Sequence, residues 1–233
     1  MKTLFSGIKP SGDLHLGNYI GAISQWTALQ EKYKCLFCVV DYHAITVKQD
    51  PKALRKSILD IARVYLAAGI NPKKAIIFQQ SDVSEHTELG WILNTITKVA
   101  ELEKMTQYKD KARDEKKEGP GAGLLNYPTL MAADILLYHT DVVPVGHDQM
   151  QHLELTRLLT KRFNTNYGTT FTVPETIVRK EGARIMALDN PAKKMSKSSQ
   201  SPNSYIALLD EPMVAHKKIK RAVTDSDNKI KYD

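Results

Sequence analysis

The sequence predicts an α/β fold: a doubly wound parallel sheet, followed by the start of a C-terminal helical domain. Three observations lead there. Apolar runs of strand length recur, separated by amphipathic stretches long enough to be crossover helices. One run, Cys35-Leu36-Phe37-Cys38-Val39-Val40, is apolar throughout, as a parallel strand covered on both faces must be. Polar segments stand directly after several runs, at the edge where open α/β sheets hold ligands.

The first expected strand is Thr3-Leu4-Phe5-Ser6-Gly7-Ile8, and a tight loop from Pro10 to Asn18 joins it to a helix over residues 17–33. Such a strand-to-helix turn presents free backbone N–H groups to a phosphate. Gly12 and Gly17 permit close approach, and His15 and Asn18 add polar side chains. Taken alone, the same residues also describe an ordinary connection. The 35–40 strand ends at Asp41-Tyr42-His43-Ala44. Asp50 and Pro51 then supply an N-cap and a first helical position. Leu54, Ile58, Ile61, Val64, Tyr65 and Ala68 recur at helical spacing until Gly69.

A third strand is expected over 74–80 and a helix over 84–105. Residues 108–123 alternate lysine and arginine with acids and end in Gly-Pro-Gly-Ala-Gly, which reads as a mobile surface loop. An apolar helix over 129–139 carries a single acid, Asp134. Burying it without a partner would cost several kcal/mol. Its neighbours Leu130, Met131, Leu137 and Tyr138 are apolar, so it is expected to face a cavity that offers a donor. A fourth strand over 141–145 runs into Gly146-His147-Asp148-Gln149 and a helix over 151–163. Extended chain is expected around 170–174 and 176–178. Residues 192–199, Ala-Lys-Lys-Met-Ser-Lys-Ser-Ser, combine point charges with hydroxyl donors, a cradle for a triphosphate or else a solvated run. Helices are expected near 204–209 and 214–223, before a polar end.

The 233 residues suffice for one good-sized domain and part of a second. Thirty-three Lys and Arg against 26 Asp and Glu give a formal charge of +7, which suits a polyanionic partner such as a nucleotide or nucleic acid. No apolar run approaches the ~20 residues of a membrane span, and the first residues lack a secretory pattern, so a cytoplasmic protein is expected. Cys35 and Cys38 are the two cysteines. With no second pair and an apolar context, they read as buried free thiols rather than a zinc or redox site.

His15-Leu16-Gly17-Asn18 and Lys194-Met195-Ser196-Lys197-Ser198 together resemble the HIGH and KMSKS signatures of class I aminoacyl-tRNA synthetases. Essentially the whole chain is similar to bacterial tryptophanyl-tRNA synthetases. The strongest likeness lies at Phe5 to Asn18, Met105-Thr106-Gln107-Tyr108-Lys109, 130–138, and Val145 to Gln149 with Gln151-His152. Members of that family are longer, so the resemblance implies a C-terminally truncated chain that lacks most of the anticodon-recognising helical region. It also implies a Rossmann-like nucleotide-binding catalytic domain over 1–190, with the lysine loop and an incomplete helical domain over 191–233.

The implied reaction has two steps: L-tryptophan and ATP form tryptophanyl-adenylate, and the tryptophanyl group passes to tRNA(Trp). ATP arrives with Mg²⁺ and no protein metal cage, and the partner is a second copy of the chain in a homodimer. The resemblance assigns ATP to Lys9, Pro10, Ser11, Gly17, Asn18, Gly146, His147, Asp148, Ile185 and Lys194, Met195, Ser196, Lys197, Ser198. Lys194, Lys197 and Lys111 carry the transition-state charge. Asp134 accepts the indole N–H, while Phe5, Met131, Val143 and Val145 form the ring slot. Tyr127, His43 and Gln149 hold the amino acid's α-groups. The chain departs from the family pattern at Lys9 (usually Gln), His147 (commonly an acid) and Ser199 (usually Asp). Tyrosyl-tRNA synthetase shares the fold and chemistry, and a pocket acid could equally take a phenol O–H. A nucleotidylyltransferase and a non-catalytic RNA-binding module are the readings from other classes.

Overall fold

The computed structural model describes residues 1–12, 14–114, 119–146, 149–178, 185–195 and 201–224. β1 (Thr3–Ile8) is followed by a single helical turn, α1 (Leu16–Asn18), a π-helical segment Tyr19–Ile23, and α2 (Ser24–Leu29). The chain continues through β2 (Lys34–Val39), α3 (Asp41–Ala44), α4 (Pro51–Ala67) and β3 (Ala75–Gln79). A 3₁₀ turn (Gln80–Asp82) then leads to α5 (Glu85–Ile96), α6 (Val99–Glu103) and α7 (Thr106–Asp114). α8 (Ala122–Leu136), β4 (Val142–Val145), α9 (Met150–Tyr167) and β5 (Glu175–Val178) follow. Last come β6 (Met186–Ala187), β7 (Asn190–Lys194) and α10 (Pro212–Lys220).

The chain divides into two compact units, residues 1–11 with 25–180 and residues 12–24 with 181–233. The boundary expected after residue 190 therefore falls inside the second unit. In the first unit, five strands form one parallel sheet in the order β3-β2-β1-β4-β5. Side chains of β2 alternate between its faces. Leu36, Cys38 and Val40 join Phe5, Val143, Ile135 of α8 and Leu153 of α9 in one buried cluster. On the other face Phe37 stacks on Trp26 of α2 at 4.4 Å, and Tyr65 of α4 meets both edge-on. Helices thus cover both faces, as the apolar 35–40 run requires. Both cysteines are buried free thiols, and burial raises the Cys35 thiol to about 11 and Cys38 further still.

Several expectations need correction. The 17–33 helix ends at Leu29 and contains a π-helical segment. The 84–105 helix is two helices, because Thr97 leaves helical geometry and Arg162 of α9 occupies the gap. Its guanidinium donates to the Ile96 carbonyl at 2.7 Å and bridges both Glu101 oxygens at 3.0 and 2.5 Å. That carboxylate in turn accepts from the Lys98 N–H at 3.0 Å. Residues 108–114 of the expected loop belong to helix α7, and α8 opens at Ala122, well before 129; residues 115–118 lie outside the described set. Of the extended 170–178 stretch, only Glu175–Val178 pairs, as the fifth strand.

In the second unit the 204–209 helix is absent. Those residues turn so that Ala207 bridges to His15, Leu16 N–H reaches the Ile206 carbonyl at 2.9 Å, and Leu208 N–H reaches Leu14 at 2.7 Å. Backbone donors and acceptors taken by that pairing are lost to a helix. An unanticipated hairpin, β6–β7, carries Lys194 at its end. Among the described residues no helix is long and apolar enough to cross a membrane.

The half-buried Arg162 bridge ties α5, α6 and α9 together. Arg162→Met is expected to cost about 2 kcal/mol of stability, read from urea unfolding, since three charge-assisted hydrogen bonds go and the Ile96 carbonyl loses its donor.

Candidate active site

α8 is apolar on nearly every side and is buried accordingly. Met131 and Ile135 face the sheet cluster, while Ala132, Ala133 and Leu136 pack with Leu89 and Leu93 of α5 and Leu155 and Leu159 of α9. Asp134 lies inside this packing, 1% exposed. Its donors come from the C-terminal ends of two adjacent strands and from α5. His43, in α3 after β2, reaches Oδ2 through Nε2 at 2.8 Å. Gln80, directly after β3, donates Nε2–H to Oδ1 at 2.7 Å, and His86 Nδ1 reaches the same oxygen at 2.7 Å. Burial alone would push the Asp134 carboxyl up. The hydrogen bonds and charge of His43 and His86 outweigh it and hold the group below its ordinary range. The donor that this acid was expected to need is supplied three times, by His43, Gln80 and His86.

The four residues expected to line a ring slot fall in one cluster. Phe5 and Val143 belong to the buried sheet cluster, with Met131 and Val145 packed against it. Phe5 stacks on Tyr138 with ring centroids 5.9 Å apart. Tyr127 approaches the His43 ring edge-on at 6.1 Å, and its hydroxyl bonds Gln107 of α7 at 3.1 Å and His152 of α9 at 2.6 Å. Burial holds the Tyr127 phenol well above its ordinary range, so it stays protonated. Gln149 caps α9, its N–H turned back to the Gly146 carbonyl at 3.0 Å. A groove of about 390 Å³ against α3, α5 and α8 shares Tyr127, with Tyr42, Trp91 and Leu130 in its walls.

The residues expected to hold a nucleotide divide by unit. In the first, Lys9, buried Pro10 and Ser11 leave β1 in a turn, Ser11 N–H meeting the Lys9 carbonyl at 2.9 Å, and Gly146 is exposed after β4. In the second, Gly12 has φ of +66°, where a side chain is disfavoured. His15 N–H is accepted by Asn18 Oδ1 at 3.0 Å, closing the helix start. A Cβ on Gly17 would lie 3.0 Å from the His15 ring, which would have to shift by a few tenths of an ångström, and 3.7 Å from Ile185, an ordinary contact. Lys194 is exposed at the end of β7, and Met195 is buried with its N–H on the Ile185 carbonyl at 2.8 Å. Ser196, Lys197, Ser198, Ser199, His147 and Asp148 lie outside the described residues, as does the Lys111 side chain.

Sequence reasoning missed Gln80 and His86 as partners of Asp134, and Tyr138 as the partner of His86. One signal was present: His86 stands three and seven residues before Leu89 and Leu93, on the buried stripe of α5.

The model for class I tRNA synthetases (W and Y) matches residues 1–233. The tryptophan–tRNA ligase of Clostridium perfringens is 58% identical over 231 residues, 99% of this chain and 69% of that protein. The tryptophanyl-tRNA synthetase structure from Mycoplasma pneumoniae has a TM-score of 0.94 at 44% identity, covering 100% of this chain and 69% of that one. The Campylobacter jejuni enzyme complexed with ADP and tryptophan has a TM-score of 0.86 at 42% identity, covering 97% and 68%.

Because the folded carboxyl of Asp134 lies below its ordinary value of 3.8, its anion stabilises the fold above that pH. The contribution disappears as pH falls through the lowered folded value. The stability gap between wild type and Asp134→Asn is therefore expected to be wide at neutral pH and to narrow progressively below about pH 4, measured by urea unfolding across pH.

Proposed function

The chain belongs to the class I tRNA synthetases of the tryptophan and tyrosine family, and from that membership we propose that it works as a tryptophan–tRNA ligase. A carboxylate oxygen of L-tryptophan attacks the α-phosphorus of ATP, the bond to pyrophosphate breaks, and tryptophanyl-adenylate forms. The 3′-terminal adenosine of tRNA(Trp) then takes the tryptophanyl group and AMP leaves. Neither step needs a triad or a carboxylate pair; both need positioning and positive charge near the phosphates.

The observation that carries this reading is Asp134: a buried anion beside an apolar, aromatic-lined cluster. A carboxylate accepts at about four lone-pair sites. Oδ1 receives two donors and Oδ2 one, which leaves Oδ2 able to accept an indole N–H. Phe5, Met131, Val143 and Val145 supply the apolar walls for the ring. His43, Tyr127 and Gln149 are assigned the amino acid's α-ammonium and carboxylate, and the 6.1 Å between the His43 and Tyr127 rings supports their acting together. ATP is assigned to Lys9, Pro10, Ser11, Gly17, Asn18, Gly146, His147, Asp148, Ile185 and residues 194–198. Lys194, Lys197 and Lys111 neutralise the charge that builds on the phosphates. Mg²⁺ enters on the ATP phosphates and shares that charge.

A homodimer is proposed as the working state. The exposed Trp91, Ile92 and Val99 of α5 and α6 support it, being large apolar groups that a second copy would cover. The proposed compartment is the cytoplasm. A nucleotidylyltransferase falls away with the family membership.

Pyrophosphate exchange into ATP is expected with tryptophan and not with tyrosine or without amino acid. Exchange driven by tyrosine alone would replace the tryptophan assignment, and no exchange in a folded chain would return the non-catalytic RNA-binding reading.

A further inference from the structure

Asp134 does not stand on its own rotamer preference. Gln80 and His86 are both fully buried, so no water can take over their bonds to its Oδ1. The direction of each bond is settled by its other end. Gln80 Oε1 accepts from the Tyr42 backbone N–H at 3.0 Å, which leaves its NH₂ facing the carboxylate. A carboxylate can only accept, so His86 carries its proton on Nδ1. Its Nε2 lies 2.8 Å from the Tyr138 hydroxyl and shares a second hydrogen bond with it. Tyr138 is itself fixed by Phe5, stacked at 5.9 Å and 12°, and by Phe78, edge-on at 5.6 Å.

We propose that Gln80, His86 and Tyr138 form a positioning chain that pins Oδ1 of Asp134 and thereby sets which aromatic amino acid is selected. The proposal rests on the reading of Asp134 as the acceptor of the ring N–H. With both donors in place Oδ1 is saturated, and an incoming donor is directed to Oδ2. A carboxylate freed from them could rotate and meet a donor elsewhere, for instance a phenol O–H. Tyr138 links the chain to Phe5, so the acceptor and one wall of the ring slot are set by the same side chain. None of the three residues needs to touch the substrate.

The test compares kcat/KM in pyrophosphate exchange for tryptophan, for tyrosine, and for 3-benzothienylalanine, an isostere whose sulfur replaces the indole N–H. His86→Phe is expected to lower the preference for tryptophan over the sulfur isostere by about tenfold, with the KM for ATP within about twofold of wild type. His86→Asn, whose side-chain amide offers an N–H near the place of Nδ1, is expected to recover most of the preference. Tyr138→Phe should fall between them. An unchanged preference in a folded His86→Phe protein overturns the proposal, as does a KM for ATP that rises in step with the KM for tryptophan. Should His86→Phe fail to fold, Tyr138→Phe decides: a drop of about threefold or more supports the chain, and no drop overturns it. A wild type without tryptophan-dependent exchange removes both this proposal and the reading beneath it. Normal wild-type exchange with an unmoved preference in the variants removes the proposal alone.

Discussion

A carboxylate sealed inside an apolar helix is the constraint on which the larger unit depends. Asp134 is only 1% exposed, so its charge persists because three buried donors reach it. Losing one would leave an uncompensated polar atom at a cost of several kcal/mol. The donors come from α3, from the turn after β3 and from α5, while the acid itself is on α8. One anion therefore fixes four elements relative to each other. The parallel pairing of β2 with β3 makes this feasible, because it brings Val39 and Gln79 into register and sets His43 and Gln80 down side by side.

The same sheet explains why Phe5, Val143 and Met131 gather without being near in sequence. Phe5 and Val143 come from β1 and β4, adjacent strands of the sheet, and Met131 and Ile135 lie on the face of α8 that covers them. α8 can be buried on both sides because α5 and α9 close over its other face, and Arg162 locks those two helices with α6 through the Ile96 carbonyl and Glu101.

The second unit is organised by a different interaction. The signature segment 14–16 pairs with 206–208 through backbone hydrogen bonds, and Asp210 braces that turn by accepting from Ala207 N–H at 2.9 Å. Lys218 of α10, nearly buried, donates to the same carboxylate at 2.6 Å and lies 5.2 Å from the Tyr205 ring centroid. Residues almost two hundred positions apart share one backbone ladder, and the price is the helix that local pattern predicted at 204–209.

Local pattern by itself determined the parallel α/β class, four of the five sheet strands to within a residue or two, the Asp50-capped helix, the buried thiols and the need of Asp134 for a donor. Each follows from a short-range rule: strand runs covered on both faces must be apolar, caps sit at fixed offsets, and a lone acid among apolar neighbours cannot be left unpaired. The resemblance of the chain to a known family supplied the roles of the aromatic slot and the lysine loop, which spacing alone would have left open. Only the tertiary structure decided which donors serve Asp134, where the 84–105 helix breaks, and that 205–208 pairs with the HIGH-like segment instead of coiling. Those outcomes depend on contacts 48 or more residues apart in the case of Asp134 and on a single arginine arriving from α9 in the case of the break. Periodicity reports which face a residue occupies. It carries no information about which distant side chain that face will meet.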